Sequence, residues 1–109
     1  MTNRWGRPPK GRGWEKRLAE DGEGSLQPGS GNGPFHKSDL KSKTCLVEAK
    51  ETSGVVTYSL LKKDLKNLES HAINAHRMPV LMLNFSGDEY VILRRVDWKV
   101  IKEQINLNE

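Results

Sequence analysis

The stretch CLVEAK, residues 45–50, is the most strand-like segment of the sequence, yet it carries two charged residues. Successive side chains of a strand point to opposite faces of the sheet, so its odd-numbered residues form an apolar set that can pack on a helix. Glu48 and Lys50 then emerge together on the other face, about 7 Å apart along the strand. Charged groups at such a position need partners, because burying them unpaired is costly.

A second short strand is predicted at residues 39–41, joined to the first by a tight connection at residues 42–44. If the two strands pair antiparallel, Asp39 approaches Glu48, and two carboxylates and a lysine converge. A divalent cation would relieve the repulsion, and oxygen ligands of this kind suit Mg²⁺ or Mn²⁺ better than zinc. The same residues are also compatible with a surface hairpin that simply presents a glutamate and a lysine to solvent.

Hydrophobic periodicity extends this hairpin into a complete α/β pattern. The predicted order is α, β, β, β, α, β, β, α, with elements at residues 14–21, 25–27, 39–41, 45–50, 59–76, 80–85, 89–94 and 97–106. Ser59 and Asp97 are the expected N-caps of the last two helices. The order predicts a central mixed sheet of about five strands flanked by helices.

Two further packing expectations follow from the apolar residues. The continuous run VLMLNF, residues 80–85, is typical of a strand covered on both faces. The helix at 59–76 should bury the stripe formed by Leu61, Leu65, Leu68, Ala72 and Ala75. Trp98 of the last helix is expected in the core.

Composition bounds the class of protein. The chain has 109 residues, 35% hydrophobic and 29% charged, which allows one compact domain with a modest core. The net charge is +4 and the pI about 9.3, which favours a polyanionic partner such as nucleic acid. Cys45 is the only cysteine, and no apolar run approaches the ~18 residues of a membrane span, so we expect a cytoplasmic protein.

Basic residues cluster in three places that suit phosphate contacts. Residues 1–13 form an arm without acidic residues, which suits either a solubilising tail or DNA binding, and residues 14–109 form the domain. The glycine-rich loop and its continuation supply further candidates before Asp39, and the long helix carries lysines. The candidate DNA-binding residues are Arg4, Arg7, Lys10, Arg12, Ser30, Asn32, His36, Lys37, Lys62, Lys63 and Lys66.

Asp39 followed by Glu48, Ala49 and Lys50 resembles the PD-(D/E)xK nuclease signature. The fuller series GSGN (29–32), KSDL (37–40), CLVEAKET (45–52) and PVLMLNF (79–85) resembles phage and archaeal Holliday junction resolvase-like endonucleases. The resemblance covers about residues 14–95 and implies a restriction-endonuclease-like core. The sequence departs from the signature at Ser38, where the family has proline.

The resemblance also implies residue roles. Asp39 and Glu48, with the backbone carbonyl of Ala49, would hold Mg²⁺ or Mn²⁺, and Lys50 would orient or help deprotonate the attacking water. Glu15 matches the glutamate that the family's first helix contributes to the metal site and to catalysis, and Glu20 is a weaker substitute. Ser30 matches the serine of the family's glycine-rich loop.

These observations predict a Mg²⁺-dependent DNA endonuclease, of bacterial, host-cell or phage origin, that acts on branched DNA such as a four-way junction. A junction offers two strands related by a two-fold axis, so a homodimer is expected, through the hairpin at 80–94 and the last helix, with no membrane partner. Two alternatives stay open. One is a sequence-specific or nicking endonuclease of the restriction, homing or repair type, and the other is a DNA-binding module without enzymatic activity.

Overall fold

The computed structural model describes residues 13–27 and 39–107. The arm at residues 1–12, the segment 28–38 and the last two residues lie outside the described part. The elements follow the predicted order: α1 (Gly13–Glu20), β1 (Ser25–Leu26), β2 (Asp39–Lys41), β3 (Cys45–Thr52), α2 (Lys62–Asn74), β4 (Met78–Phe85), β5 (Asp88–Leu93) and α3 (Arg95–Leu107). The prediction of three helices and five strands is confirmed.

The five strands form one mixed sheet in the order β1-β2-β3-β4-β5. β3 and β4 are parallel and joined by the α2 crossover, whereas the other neighbours pair antiparallel. Gly24, at the entry to β1, is required by both its conformation and its surroundings. Its φ is +144°, and a Cβ there would lie 2.9 Å from the carbonyl carbon of Lys41. The predicted mixed sheet flanked by helices is confirmed.

Apolar side chains cover the middle of the sheet on both faces. On one face, Trp14 and Leu18 of α1 pack with Leu40, Val47 and Val80. On the other face a second cluster joins the sheet to α2 and consists of Leu46, Leu68, Ala72 and Leu81. The run at 80–85 is therefore covered on both faces as predicted, which explains why it does not alternate between apolar and polar residues.

α2 begins three residues later than predicted. Ser59 is not its N-cap; that position belongs to Leu61, whose backbone is extended and whose side chain makes no capping hydrogen bond. The loop that precedes α2 is attached to the β4–β5 turn by Ser86, whose hydroxyl accepts the Val55 N–H (3.0 Å) and donates to the Val55 carbonyl (2.8 Å). Leu61, expected in the core, lies before the first helical residue and is exposed.

α3 also departs from expectation. It begins at Arg95, so Asp97 lies inside the first turn and its carboxylate accepts two hydrogen bonds from Arg94 (2.8 and 3.0 Å) instead of capping the helix. The expectation that Trp98 belongs to the core is wrong, because the side chain is 44% exposed and no residue of α3 is buried. No helix in the described residues is long and apolar enough to span a membrane.

Candidate functional site

Glu48 and Lys50 form an ion pair on the α2 side of the sheet. Their positions alternate with Val47 and Ala49, which pack on the α1 side, so strand geometry alone places both charged side chains on the α2 face. Lys50 Nζ lies 2.7 Å from Glu48 Oε2, and the two side chains are 30% and 20% exposed. The pair is thus fixed by a well-packed strand yet still open to an aqueous ligand.

The protonation of Lys50 follows from two opposing effects. Burial lowers its pKa, but the hydrogen bond and the charge of Glu48, with smaller contributions from Tyr58 and Asp64, outweigh this and leave the pKa above the usual 10.5. Lys50 is therefore a cation at neutral pH. It is suited to hold an anion or orient a water molecule, and less suited to remove a proton.

Tyr58 and Asp64 are site neighbours that sequence reasoning missed. Asp64 lies in the first turn of α2, where a carboxylate is favoured by the helix dipole. Tyr58 precedes α2 and its ring lies 6.5 Å from the ring of Phe85 at the end of β4. The signal for Asp64 was hidden by the misplaced helix start: a helix that begins at Lys62 puts Asp64 in the turn nearest the strand end.

The backbone register brings Asp39 to the predicted place. β2 and β3 pair antiparallel with Asp39 directly opposite Glu48. The antiparallel pairing of β2 with β3, which the sequence analysis assumed, is therefore present in the fold. The side chain of Asp39 lies outside the described part, so its position in a metal site stays a prediction.

Glu15 is a buried acidic residue of α1. The helix packs against β1 and β2, the second of which carries Asp39. Glu15 is 2% exposed and both carboxylate oxygens are shielded from solvent. A carboxylate is rarely kept in an interior without a compensating interaction, which sets Glu15 apart from the exposed Glu20. Its predicted role beside a metal stays a prediction.

The described side chains provide only part of a metal site. Within residues 13–27 and 39–107, no group of three or more carboxylate, histidine or cysteine side chains is placed to hold an ion. Glu48 itself fits Mg²⁺ or Mn²⁺ in chemistry, because it offers hard oxygen donors on a half-buried face. A complete site would need the side chain of Asp39, which the structure does not describe.

The predicted DNA-binding residues divide into two groups. Lys62, Lys63 and Lys66 are exposed along α2, the helix that covers the Glu48–Lys50 face, and Lys66 Nζ also lies 3.4 Å from Glu69 Oε1. The other candidates, which are Arg4, Arg7, Lys10, Arg12, Ser30, Asn32, His36 and Lys37, lie outside the described residues. The described surface therefore combines the ion pair with a nearby row of lysines.

Comparison with known proteins adds no relative to this description. No family model matches the chain, and neither a curated protein nor a solved structure matches it. The resemblance to PD-(D/E)xK nucleases thus rests on the residues of this chain alone.

Proposed function

We propose that this protein is a metal-dependent DNA endonuclease that hydrolyses phosphodiester bonds in branched DNA, with a four-way junction as the favoured substrate. It would act in the cytoplasm as a homodimer. The observation that carries the proposal is the Glu48–Lys50 pair, 2.7 Å apart on a covered strand, with Asp39 opposite Glu48 in the neighbouring strand. A purely structural ion pair would not require the second acidic position.

Each residue has a role that follows from its chemistry. Glu48 and Asp39, with the backbone carbonyl of Ala49, would hold Mg²⁺ or Mn²⁺, which when bound supplies an acidified water and charge stabilisation at the phosphate. Lys50, a cation at neutral pH, would orient that water and offset the charge that develops on the scissile phosphate. Glu15 is the predicted fourth member of the site, but α1 packs on the face of the sheet opposite to Glu48 and Lys50, so its support of the metal would be the least direct of the four roles.

The lysines of α2 would contribute to substrate binding. Lys62 and Lys63 are exposed at the start of the helix on the site's side of the sheet. Phosphate contacts of this kind position DNA without reading its sequence. A substrate recognised by shape, such as a junction, suits a surface of this type better than a base sequence does.

The activity is tested with an end-labelled four-way junction and a linear duplex that shares one of its strands. We expect cleavage in Mg²⁺ or Mn²⁺, none in EDTA, and a faster rate on the junction. Equal rates on the two substrates would remove the preference for junctions and favour the alternative of a sequence-specific or nicking endonuclease. Binding without cleavage under any metal would overturn the proposal and leave a DNA-binding module.

The basic arm gives a separate test of the DNA contact. Removal of residues 1–13 deletes four cationic side chains. If all four contact phosphates, the slope of log K against log salt should become shallower by roughly 3 to 4, because each phosphate contact contributes about 0.9. An unchanged slope would mean that the arm is a solubilising tail.

A further inference from the structure

β5 is a sheet edge whose last four residues carry little protection. In the part of the chain that the structure describes, it pairs with β4 on one side only. Tyr90 and Val91 are 53% and 59% exposed, and no proline or charged residue interrupts the run from Tyr90 to Leu93. Edge strands of monomeric proteins usually carry such interruptions, because an uninterrupted apolar edge pairs readily with another strand.

The helix that follows leaves apolar surface beside this edge. No residue of α3 is buried, and its exposed apolar side chains are Val96, Trp98, Val100, Ile105 and Leu107. A shallow groove of about 470 Å³ lies between β5 and α3, lined by Val91, Leu93, Arg95 and Trp98. The edge and the groove together form one apolar surface, which we call the β5–α3 surface.

The charges on β5 indicate what covers this surface. The strand begins with Asp88 and Glu89 and is followed directly by Arg94 and Arg95. A second β5 running antiparallel would bring its basic end beside the acidic start of the first, and the same contact would recur by symmetry. A strand that is acidic at one end, apolar in the middle and basic at the other is complementary to a copy of itself.

We propose that a second copy of this chain pairs its β5 antiparallel with β5 and joins the two five-stranded sheets into one sheet of ten strands. The proposal identifies the surface through which the homodimer of the proposed function assembles. The dimer itself does not depend on nuclease activity.

Symmetry and charge set the register. A two-fold axis perpendicular to an antiparallel pair places one residue opposite its own copy. With Val91 at the axis, Asp88 lies opposite Arg94 of the second copy, and Tyr90 lies opposite Ile92. Arg94 already holds Asp97, but a guanidinium has five N–H donors and can serve a second carboxylate.

This register aligns the two candidate sites, a consequence that rests on the proposed function. Lys50 lies in one row with Leu83 and Tyr90, and Glu48 in one row with Leu81 and Ile92. Because Tyr90 faces Ile92 of the second copy, Lys50 of one chain and Glu48 of the other share a single row. Five strand spacings separate them, about 24 Å, and both open on the same face.

Assembly is tested by light scattering on the full chain, without DNA or metal, at micromolar concentration. The wild type should have a mass of twice 12.3 kDa. Val91→Lys would place two like charges opposite each other and should halve that mass, whereas Val56→Lys, the same change at a 91% exposed loop residue, should leave the dimer intact. A monomeric wild type, or a Val91→Lys protein that stays dimeric and folded by circular dichroism, would overturn the proposal.

Cysteine cross-linking tests the register without disturbing the charge. In a Cys45→Ser background, which removes the only native thiol, Val91→Cys should form a disulfide-linked dimer on mild oxidation. Glu89→Cys is the matched control and should remain monomeric on a non-reducing gel. In the proposed register Glu89 lies opposite Leu93 of the second copy, so the two copies of position 89 are four residues apart along the strands. Linkage through position 89 and not through position 91 would overturn the register.

These experiments use neither substrate nor metal. A monomeric wild type would therefore overturn the homodimer but would leave the DNA-cleavage part of the proposed function standing. A protein that dimerises but does not cleave DNA would overturn the nuclease activity and leave the dimer standing.

Discussion

β4 and β5 are neighbouring strands whose apolar side chains differ in burial. Six consecutive residues of β4 are buried, whereas Tyr90 and Val91 in the middle of β5 are 53% and 59% exposed. The difference does not come from hydrophobicity, since Tyr90, Val91, Ile92 and Leu93 are as apolar as most of β4. It comes from cover: α1 and α2 pack over β3 and β4, while α3 buries none of its residues.

This contrast suits the covered centre of the sheet and its exposed β5 edge to different roles. The covered strands hold Glu48 and Lys50 on a rigid β3, which their proposed catalytic role would require, because such a role needs the geometry kept within a fraction of an ångström. The exposed β5 edge and the groove between β5 and α3 suit association with another chain.

The largest expected effect is on the free energy of unfolding, when a substitution in the buried strand β4 is compared with one in the exposed strand β5. Leu81→Ala, at a β4 residue that is 1% exposed, should lower the free energy of unfolding by about 2–5 kcal/mol. Val91→Ala should change it by less than about 0.5 kcal/mol in dilute protein. Urea denaturation at two protein concentrations measures both, because only the Val91 effect should grow with concentration. Equal losses at the two positions would contradict the difference in cover.

Substitution of one lysine in β3 and one in α3 compares the contribution of the two regions to DNA cleavage. Lys50→Ala should slow DNA cleavage by at least about 100-fold, the range expected for loss of one positioned catalytic group. Lys102→Ala, at an exposed position of α3, should leave the rate within about two-fold. DNA affinity, measured by fluorescence anisotropy in Ca²⁺ or EDTA, should be similar for both variants. A cleavage loss in the Lys102 variant alone would move the functional surface to α3.

A smaller effect is expected from pH. The folded pKa of Lys50 is raised above 10.5, so its stabilisation is present below that pH and is lost as pH rises through the folded value. The free energy of unfolding of the wild type should therefore fall more steeply than that of Lys50→Met between about pH 10 and pH 12. Parallel curves over that range would mean that the Glu48–Lys50 pair contributes nothing to folding.

Much of the fold could be predicted from sequence because its signals are local. The order of eight elements, the mixed sheet and the two-sided cover of residues 80–85 follow from periodicity and turn residues. The path of the loop before α2 could not be predicted, because Ser86 holds Val55 through hydrogen bonds between residues 31 apart in the chain. The exposure of Trp98 was hidden for a similar reason, since an amphipathic helix has the same pattern whether its apolar face meets its own sheet or another chain.

The candidate site divides along the same line. Strand alternation was enough to predict that Glu48 and Lys50 share a face, and the antiparallel pairing of Asp39 with Glu48 followed from a short turn. Tyr58 and Asp64 help to raise the pKa of Lys50, and their positions depend on where the loop after β3 returns to the sheet. No local pattern encodes that path.

The most direct test of the central claim is the Mg²⁺-dependent cleavage rate of Glu48→Gln beside that of the wild type on one four-way junction. The amide keeps the size of the side chain and an oxygen that can accept the Lys50 hydrogen bond, so the strand should fold unchanged while the charged donor for the metal is lost. We expect the wild type to cleave the junction and the variant to be slower by at least about 100-fold. A variant that cleaves at the wild-type rate would contradict it.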